Sequence, residues 1–253
     1  MGAAKILIGY HAKTRRGRNG TVPGRGRPPK DDRVMLSAML YVLRTGVPWG
    51  DLPECCGPWS SVYTRYRRWC DAGLFARMLA MLTTGAEGEL RHPDCSHIKL
   101  HQHGANPPGG QAAQAMGRTK GSLNTKLSAV VDARGRAVGL SLAAGQQHDQ
   151  HAVIPVLSCV RHRRVVADKG FDADIFRASL RTERTRCCIP PKRGRLRPSR
   201  FHCGYYRQRH KIENFFGRIK AQRRISTRYD KLARTFLGFV HLAAIMDWLT
   251  HRF

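Results

Sequence analysis

Apolar residues recur at helical spacing from residue 31 onward, after an opening stretch that lacks any such period. The segment 31–45 begins with two aspartates, carries apolar side chains three and four residues apart, and is followed by Gly46. Carboxylates in the first turn and a glycine after the last turn are how many helices begin and end. Comparable spacing predicts a second helix from Ser60 and a third over 74–83. Together they predict a small all-α module over residues 31–84.

Beyond residue 85 the pattern changes to short apolar runs that are typical of strands. The predicted strands cover 98–100, 123–131, 137–142, 165–167 and 187–189. The predicted helices cover 151–160, 172–180, 200–224 and 231–251. Three strands, then a helix and a strand twice, then two helices predict a mixed sheet flanked by helices. We therefore expect an α/β domain over residues 89–253.

The chain is strongly basic. Lys and Arg number 45 against 17 Asp and Glu, which gives a formal net charge of +28 over 253 residues. This surplus favours a polyanionic partner, and no apolar run reaches the ~18 residues of a membrane-spanning helix. Residues 1–30 combine Gly, Arg and Pro without an apolar period, which predicts a flexible basic arm. We expect a cytoplasmic, nucleoid-associated protein that binds nucleic acid and no membrane.

The eight cysteines include two adjacent pairs and no C-x-x-C spacing. That pattern suits neither a disulfide framework nor a zinc ribbon, so we expect reduced, mostly buried thiols. His97, His101 and His103 lie near Cys95, but their spacing matches no zinc template. Zinc is therefore not expected.

Acidic residues are scarce, so a carboxylate at the end of an apolar strand needs an explanation. Asp168 directly follows Val165-Val166-Ala167, at the strand end where open α/β sheets commonly place their sites. A lone buried charge is costly unless a cation pairs with it, which favours a metal site. The alternative is that Asp168 caps the next helix or pairs with Lys169.

A second carboxylate lies on the predicted helix 200–224. At about 100° per residue, Tyr206, Arg209, Glu213 and Lys220 fall on one narrow face beside an apolar stripe. The helix therefore packs by its apolar side and directs a carboxylate toward the sheet, with cations beside it.

The spacing Tyr206-x2-Arg209-x3-Glu213-x6-Lys220 resembles the Tyr-Arg-Glu-Lys signature of bacterial insertion-sequence transposases of the DDE type. Further segments resemble the same family over roughly residues 26 to 250: Gly26-Arg27-Pro28, Arg44 to Pro53, Ala167 to Asp172 and Arg228-Tyr229-Asp230-Lys231. The chain departs from the family in having Cys95 where a hydroxyl residue is usual, and a basic arm where a helix is usual.

The resemblance implies a ribonuclease-H-like fold in which Asp94, Asp168 and Glu213 are the catalytic carboxylates. They would hold two Mg²⁺ ions, for which Mn²⁺ can substitute, since carboxylate oxygens are the ligands these ions prefer. Two such ions serve phosphoryl transfer, here DNA strand cleavage at element ends and strand transfer into target DNA. The implied partners are the terminal inverted repeats and target DNA, bound by a homodimer.

DNA contacts are expected from Tyr206, Arg209 and Lys220 in the catalytic domain. In the helical module the expected contacts are Arg65, Arg67 and Arg68, on a basic and aromatic helix that could lie along DNA. An equally weighted alternative is that this helix only packs and that its arginines are solvated.

Two other aspartates and one other function remain to be weighed. Asp132 precedes Arg134-Gly135, which favours a hairpin turn, and Asp149 favours capping of the helix that follows it. The alternative function is a catalytically inactive, transposase-derived DNA-binding protein that acts as a repressor or structural factor. Convergence of Asp94, Asp168 and Glu213 separates the two functions.

Overall fold

The structure, a computed structural model, describes residues 30–84, 86 and 88–250. The predicted basic arm, with the segment Gly26-Arg27-Pro28, lies outside the described residues apart from Lys30. The strands are β1 Leu90–Leu100, β2 Gly117–Arg118, β3 Leu123–Val131, β4 Ala137–Ala144, β5 Arg164–Val166, β6 Arg186–Cys188 and β7 Thr227–Arg228. The longer helices are α1 Asp32–Thr45, α2 Trp59–Asp71, α3 Leu74–Thr83, α4 Asp149–Leu157, α5 Asp174–Thr182, α6 His210–Lys220 and α7 Ala233–Thr250.

The sheet is built around β1. This strand pairs antiparallel with β3 and parallel with β5, while β4 extends the sheet beyond β3 and β6 extends it beyond β5. The resulting order β4-β3-β1-β5-β6, with three antiparallel strands followed by two that run parallel to β1, is the topology of the ribonuclease-H-like fold. The predicted fold class is confirmed.

β1 is much longer than the predicted strand 98–100. Its first half contains Arg91, His92 and Asp94, so it shows no apolar run, yet Arg91 and His92 are buried between neighbouring strands. Pairing with β3 and β5 therefore extends β1 through a segment whose own sequence pattern does not predict a strand.

Helix α1 begins and ends where its sequence predicts. The Asp31 side chain accepts a hydrogen bond from the Arg33 N–H at 2.9 Å and caps the first turn. Gly46 ends the helix in the left-handed region at φ 72°. A Cβ at Gly46 would lie 2.9 Å from the Arg223 Cβ, so a side chain at this position would also clash with a neighbouring segment.

The predicted helix 200–224 is not continuous. A helical turn at Cys203–Tyr206 passes through a 3₁₀ turn at Arg207–Arg209 into α6, and a further helical turn covers Arg223–Ser226. The backbone is extended at Gln222, between α6 and that last turn, which lets Arg223–Ser226 pack against α1. Packing across the chain thus breaks the local helical period.

The amino-terminal helices and the sheet share one hydrophobic core. Buried side chains of α1, α2 and α3 form one cluster with those of α6, α7 and one face of β3. At its centre Phe239 of α7 stacks on Tyr66 of α2, with ring centroids 4.5 Å apart, and on Trp49 at 5.8 Å. The Tyr66 hydroxyl donates to the Thr235 carbonyl at 2.5 Å. A second, smaller cluster joins α4 and α5 to the opposite face of the sheet.

Arg228 is a fully buried cation within the segment that resembles the family's closing motif. Its guanidinium donates to the Thr125 hydroxyl at 2.6 Å and to the Gln114 and Asp230 carbonyls at 2.9 Å. Burial lowers its pKa to about 10. These bonds tie β3 to the chain between β7 and α7, so Arg228 has a structural role.

All eight cysteines are free thiols, as predicted. They are not mostly buried, however: only Cys188 is buried, while Cys55, Cys159 and Cys203 are exposed. The other four lie between these extremes, partly buried at the margins of the two apolar clusters: Cys56, Cys70, Cys95 and Cys187. Within the described ranges, no helix is both long enough and apolar enough to cross a membrane.

The shared core predicts that the chain unfolds as one unit. Replacing the fully buried Phe239 by alanine removes the ring that joins α2 to α7, and should lower the free energy of unfolding by roughly 3–5 kcal/mol. Urea denaturation followed by circular dichroism and by tryptophan fluorescence should give one coincident transition for both proteins. The half-exposed Ile175→Ala serves as a control and should cost less than about 0.5 kcal/mol. A separate, earlier transition of the tryptophan signal would contradict a single core.

Candidate active site

Asp94 and Asp168 occupy equivalent positions on neighbouring strands. The parallel register pairs Leu90 of β1 with Arg164 of β5; Asp94 lies four residues after Leu90 on β1, and Asp168 lies four residues after Arg164, two residues past the end of β5. Adjacent strands are about 4.8 Å apart and side chains alternate between faces, so an equal offset directs both carboxylates to one side. The sheet itself therefore brings the first two carboxylates together.

Asp94 is a partly buried carboxylate with little local compensation. Its Oδ1 accepts a hydrogen bond from the Cys95 N–H at 2.7 Å, and Arg209 Nη1 lies 4.0 Å from its Oδ2. Burial raises the pKa of Asp94 to about 6, and the charge of Asp168 adds to the rise. Two carboxylates this close together repel each other when both are ionised, so they favour either a shared proton or a bound cation.

Asp168 follows β5 and starts the next turn. Its Oδ1 accepts the Gly170 N–H at 2.7 Å, which caps the 3₁₀ turn Lys169–Phe171. A Cβ at Gly170 would lie 2.8 Å from that oxygen, so a side chain there would force the Asp168 carboxylate to shift. The capping alternative is correct for this short turn, whereas α5 starts later, at Asp174. Capping by one oxygen and metal binding by the carboxylate are compatible.

Glu213 is brought to the aspartates by α6 and by Arg209. Buried Ile212, Phe215 and Phe216 hold the helix on the sheet, and Glu213 lies half-exposed at its edge. Arg209 Nη2 donates to Glu213 Oε1 at 2.6 Å, so this guanidinium lies between Glu213 and Asp94. Although burial alone would lower the pKa of Arg209, the hydrogen bond and charge of Glu213 raise it.

Lys220 lies on the same side of β1 as Asp94. Its Nζ donates to the Ser96 hydroxyl at 2.6 Å and to the His97 carbonyl at 3.1 Å. Ser96 is two residues beyond Asp94, which is one full strand repeat. Burial lowers the pKa of Lys220. Sequence reasoning did not identify Ser96, although the alternation that starts at Asp94 would have placed it on this face.

Tyr206 lies at the start of the segment that leads into α6. Its ring packs edge-on against Phe201, with centroids 5.5 Å apart. The structure therefore brings Asp94, Asp168, Arg209, Glu213 and Lys220 to one edge of the sheet, with Tyr206 one turn before Arg209.

The carboxylate oxygens at this edge are the donors that a divalent cation prefers, but Asp94, Asp168 and Glu213 are not close enough together here to hold one jointly. The cation that bridges Asp94 and Glu213 in the structure is the Arg209 guanidinium. In this arrangement, residues 30–84, 86 and 88–250 contain no group of three His, Cys, Asp or Glu side chains drawn together closely enough to hold a metal ion. Because the Arg209 guanidinium contacts both Asp94 and Glu213, the space between these two carboxylates accommodates a positive charge.

Two further aspartates have structural partners. Asp132 is buried and accepts two bonds from the Arg136 guanidinium, at 2.7 and 3.0 Å, together with the Arg134 N–H of the turn. The hairpin-turn prediction is confirmed. Asp149 does not cap α4, because the cap position is His148, and its carboxylate instead pairs with Lys126 at 2.5 Å. Pairing with a buried ammonium outweighs capping at this position.

The histidines near Cys95 have other contacts. His97 Nδ1 lies 3.1 Å from Asn124 Oδ1, and the ring of His101 packs against those of His103 and Tyr229. The exclusion of zinc stays a prediction.

The three arginines of α2 differ in accessibility. Arg65 is half-buried and pairs with Asp32 of α1, and Arg67 is half-buried with its Nε enclosed. Arg68 is exposed. The packing alternative therefore describes Arg65, while Arg68 is accessible to a ligand.

The sequence matches two family profiles. One, described as a putative transposase of the IS4/5 family, matches residues 13–79, and the other, described as a transposase DDE domain, matches residues 165–250. The second range contains Asp168 and Glu213.

Curated relatives agree with these profiles. A putative transposase for insertion sequence element IS6501 of Brucella ovis is 36% identical over 138 residues, which is 50% of this chain and 99% of that protein. An insertion element IS402 uncharacterized 16.2 kDa protein of Burkholderia cepacia is 39% identical over 59 residues, 22% of this chain and 40% of that protein.

Among solved structures, a pre-cleavage Mos1 transpososome aligns with 97% of this chain and 85% of its own. The TM-score is 0.32 and the identity 12%, a likeness too remote to carry a conclusion.

The buried charge of Asp94 predicts a gain in stability when it is removed. Because its folded pKa of about 6 lies above the ordinary 3.8, ionisation costs stability in full above pH 6 and not at all below 3.8. In metal-free buffer well above pH 6, Asp94→Asn should raise the free energy of unfolding by on the order of 2–3 kcal/mol. Denaturant unfolding at several pH values measures this difference, which should vanish in acid.

Asp132→Asn is the matched control, since that carboxylate is paired with Arg136 and its loss should destabilise the chain. If Asp94→Asn were destabilising to the same degree, the charge of Asp94 would be compensated in the fold and the argument would be wrong.

Proposed function

Because the chain belongs to the bacterial insertion-sequence transposases of the DDE type, we propose that Asp94, Asp168 and Glu213 are its catalytic carboxylates. The enzyme cleaves DNA at the ends of an insertion element and transfers the released strand into target DNA. The observation that carries the proposal is the equal register of Asp94 and Asp168 on parallel strands, with Glu213 linked to Asp94 through Arg209.

The family implies dependence on divalent metal, and we propose Mg²⁺ as the ion, with Mn²⁺ as a substitute. Oxygen donors from Asp94, Asp168 and Glu213 suit such hard cations. When bound, two ions supply activation of the attacking oxygen and stabilisation of the leaving oxygen in phosphoryl transfer.

Cationic side chains beside the carboxylates are suited to hold the DNA backbone. Arg209 has a planar guanidinium that can bind a phosphate with two parallel hydrogen bonds. It becomes available for a phosphate when Glu213, which accepts its hydrogen bond in the structure, binds a metal ion instead. Lys220 binds the middle of β1 through Ser96, two residues beyond Asp94, and can contribute its charge to a nearby phosphate. Tyr206, one turn before Arg209, would position the strand.

The domain assignment follows the same reasoning. Residues 31–84 would form the DNA-binding module, residues 89–253 the catalytic domain, and residues 1–30 a basic arm. In the module, exposed Arg68 is the best placed of the three arginines of α2 for phosphate contact. The partners would be terminal inverted repeats and target DNA, and pairing of two ends would require a homodimer.

A catalytically inactive DNA-binding protein is not favoured. The transposase DDE domain profile matches the range that contains Asp168 and Glu213, and both residues carry carboxylates in this chain. A repressor would need neither these carboxylates nor the burial of an unfavourable charge at Asp94.

Glu213→Gln tests the assignment of the carboxylates. Purified protein is incubated with labelled duplexes that carry the ends of its own element, with Mg²⁺ or with chelator. The native chain should nick and join DNA only with metal, and Glu213→Gln should do so at least about a hundredfold more slowly, since metal contributes several kcal/mol to such reactions. Both should bind DNA alike.

The exposed Glu54, far along the chain on a separate turn, gives the matched control Glu54→Gln, which should keep full activity. Binding without cleavage by the native chain in every divalent metal would contradict the enzymatic proposal. Full activity of Glu213→Gln would contradict only the residue assignment.

The different accessibility of the α2 arginines predicts unequal effects on DNA affinity. Arg68→Gln should weaken duplex binding severalfold. It should also reduce the slope of log K against log salt by about 0.9, the value for one lost phosphate contact. Arg65→Gln should mainly destabilise the fold, because Arg65 pairs with Asp32. Fluorescence anisotropy across a salt series measures the affinity, and melting curves measure the stability. Equal losses of affinity would show that α2 does not present Arg68 to DNA.

A further inference from the structure

A basic cavity lies at the amino-terminal ends of β5 and β6, whereas the carboxylates lie toward the carboxyl end of β5. It has a volume of about 910 Å³, and five arginines contribute to its wall: Arg161, Arg163, Arg164, Arg184 and Arg186. Two glutamates also contribute, Glu89 and Glu183, so the wall carries an excess of three positive charges. Neither the carboxylate site nor the α2 helix uses these residues.

The register of the sheet fixes how far this cavity lies from the carboxylates. Arg164 and Arg186 are paired first residues of β5 and β6, whereas Asp168 lies beyond the other end of β5. Four residues of extended chain span about 13 Å. The cavity is thus a separate surface on the same domain.

Each of the two glutamates lies beside another side chain of the cavity wall. Glu89 pairs with Arg163 at 2.6 Å, and Glu183 Oε2 lies 2.7 Å from His162 Nε2. Arg164 is held over the ring of Tyr205, with its guanidinium carbon 3.8 Å from the ring centroid. These contacts position the wall of the cavity.

The remaining three arginines, Arg161, Arg184 and Arg186, are exposed at the rim. Arg184 has a positive φ of 53°, a conformation that a residue with a side chain rarely adopts. The turn therefore maintains an unfavourable backbone where it presents a guanidinium. The surplus charge of the wall lies on exposed side chains that can contact a ligand.

The geometry points to binding of a DNA sugar-phosphate backbone in this cavity, by a duplex segment other than the one at the carboxylates. Guanidinium groups bind phosphate oxygens with two parallel hydrogen bonds, and backbone contacts of this kind are independent of base sequence. A reaction that joins an element end to target DNA requires two duplex segments on one enzyme, so the inference rests on the proposed function. The cavity would hold the target duplex where it extends away from the carboxylates, about 13 Å from the phosphate that is attacked.

The test removes two rim charges without shortening the side chains. Arg161→Gln with Arg186→Gln is compared with Arg118→Gln with Arg134→Gln, an equal charge change at two exposed arginines near the two ends of β3, outside both the cavity and the amino-terminal module. Affinity for a labelled duplex without element ends is measured across a salt series. Each lost phosphate contact should reduce the slope of log K against log salt by about 0.9, so the rim variant should lose roughly 1.8 and the control less.

Two further measurements separate the possible outcomes. Cleavage of a short end duplex that reaches only the carboxylates should proceed at the native rate in the rim variant, while strand transfer into a long target should fall several-fold. Inorganic phosphate and ATP, added as competitors, should displace the duplex only weakly.

Equal salt slopes for the rim and control variants would overturn the inference, even if the native chain cleaves normally. Strong displacement by phosphate or ATP would also overturn it, in favour of a small-anion site. Absence of cleavage by the native chain would contradict the proposed function instead, because the salt slopes do not depend on catalysis.

Discussion

The parallel pairing of β1 with β5 is the constraint on which the site depends. A register fixed by Leu90 and Arg164 places Asp94 opposite Asp168 four residues later. A slip of one residue would turn one carboxylate to the other face of the sheet. β1 has to remain extended through buried Arg91 and His92 to keep that register, and it does so because β3 pairs with it over most of its length.

Charge is arranged differently at the two ends of β5. At the carboxyl end, burial first and the charge of Asp168 second raise the pKa of Asp94, and the Arg209 guanidinium offsets part of the repulsion. At the amino end, arginines accumulate, and two glutamates offset part of theirs. A chain with a net charge of +28 thus keeps a local acidic site by placing its few carboxylates on rigid strands and helices.

The local sequence pattern predicts those elements whose buried side chains are apolar. It does not predict the elements whose buried side chains are polar. Helix α3 has the predicted limits because its buried apolar side chains recur with a helical period, and β3 has them although it is buried along almost its whole length, polar residues included. Asp168 was identifiable from the apolar run before it. Asp94 was identified only through resemblance to a family, since the residues around it are polar and buried by neighbouring strands. The arginine cavity combines turns distant in sequence, so no single window of the chain shows it.

The bond from Tyr66 to Thr235 joins residues 169 positions apart, and Phe239 covers the same ring. During synthesis, α2 therefore leaves the ribosome long before its packing partner exists. Its aromatic side chains remain exposed to solvent, chaperones and proteases until α7 emerges. A frameshift or premature stop upstream of α7 would leave no stable fragment with a separately folded DNA-binding module, and the nascent chain would be cleared by proteolysis.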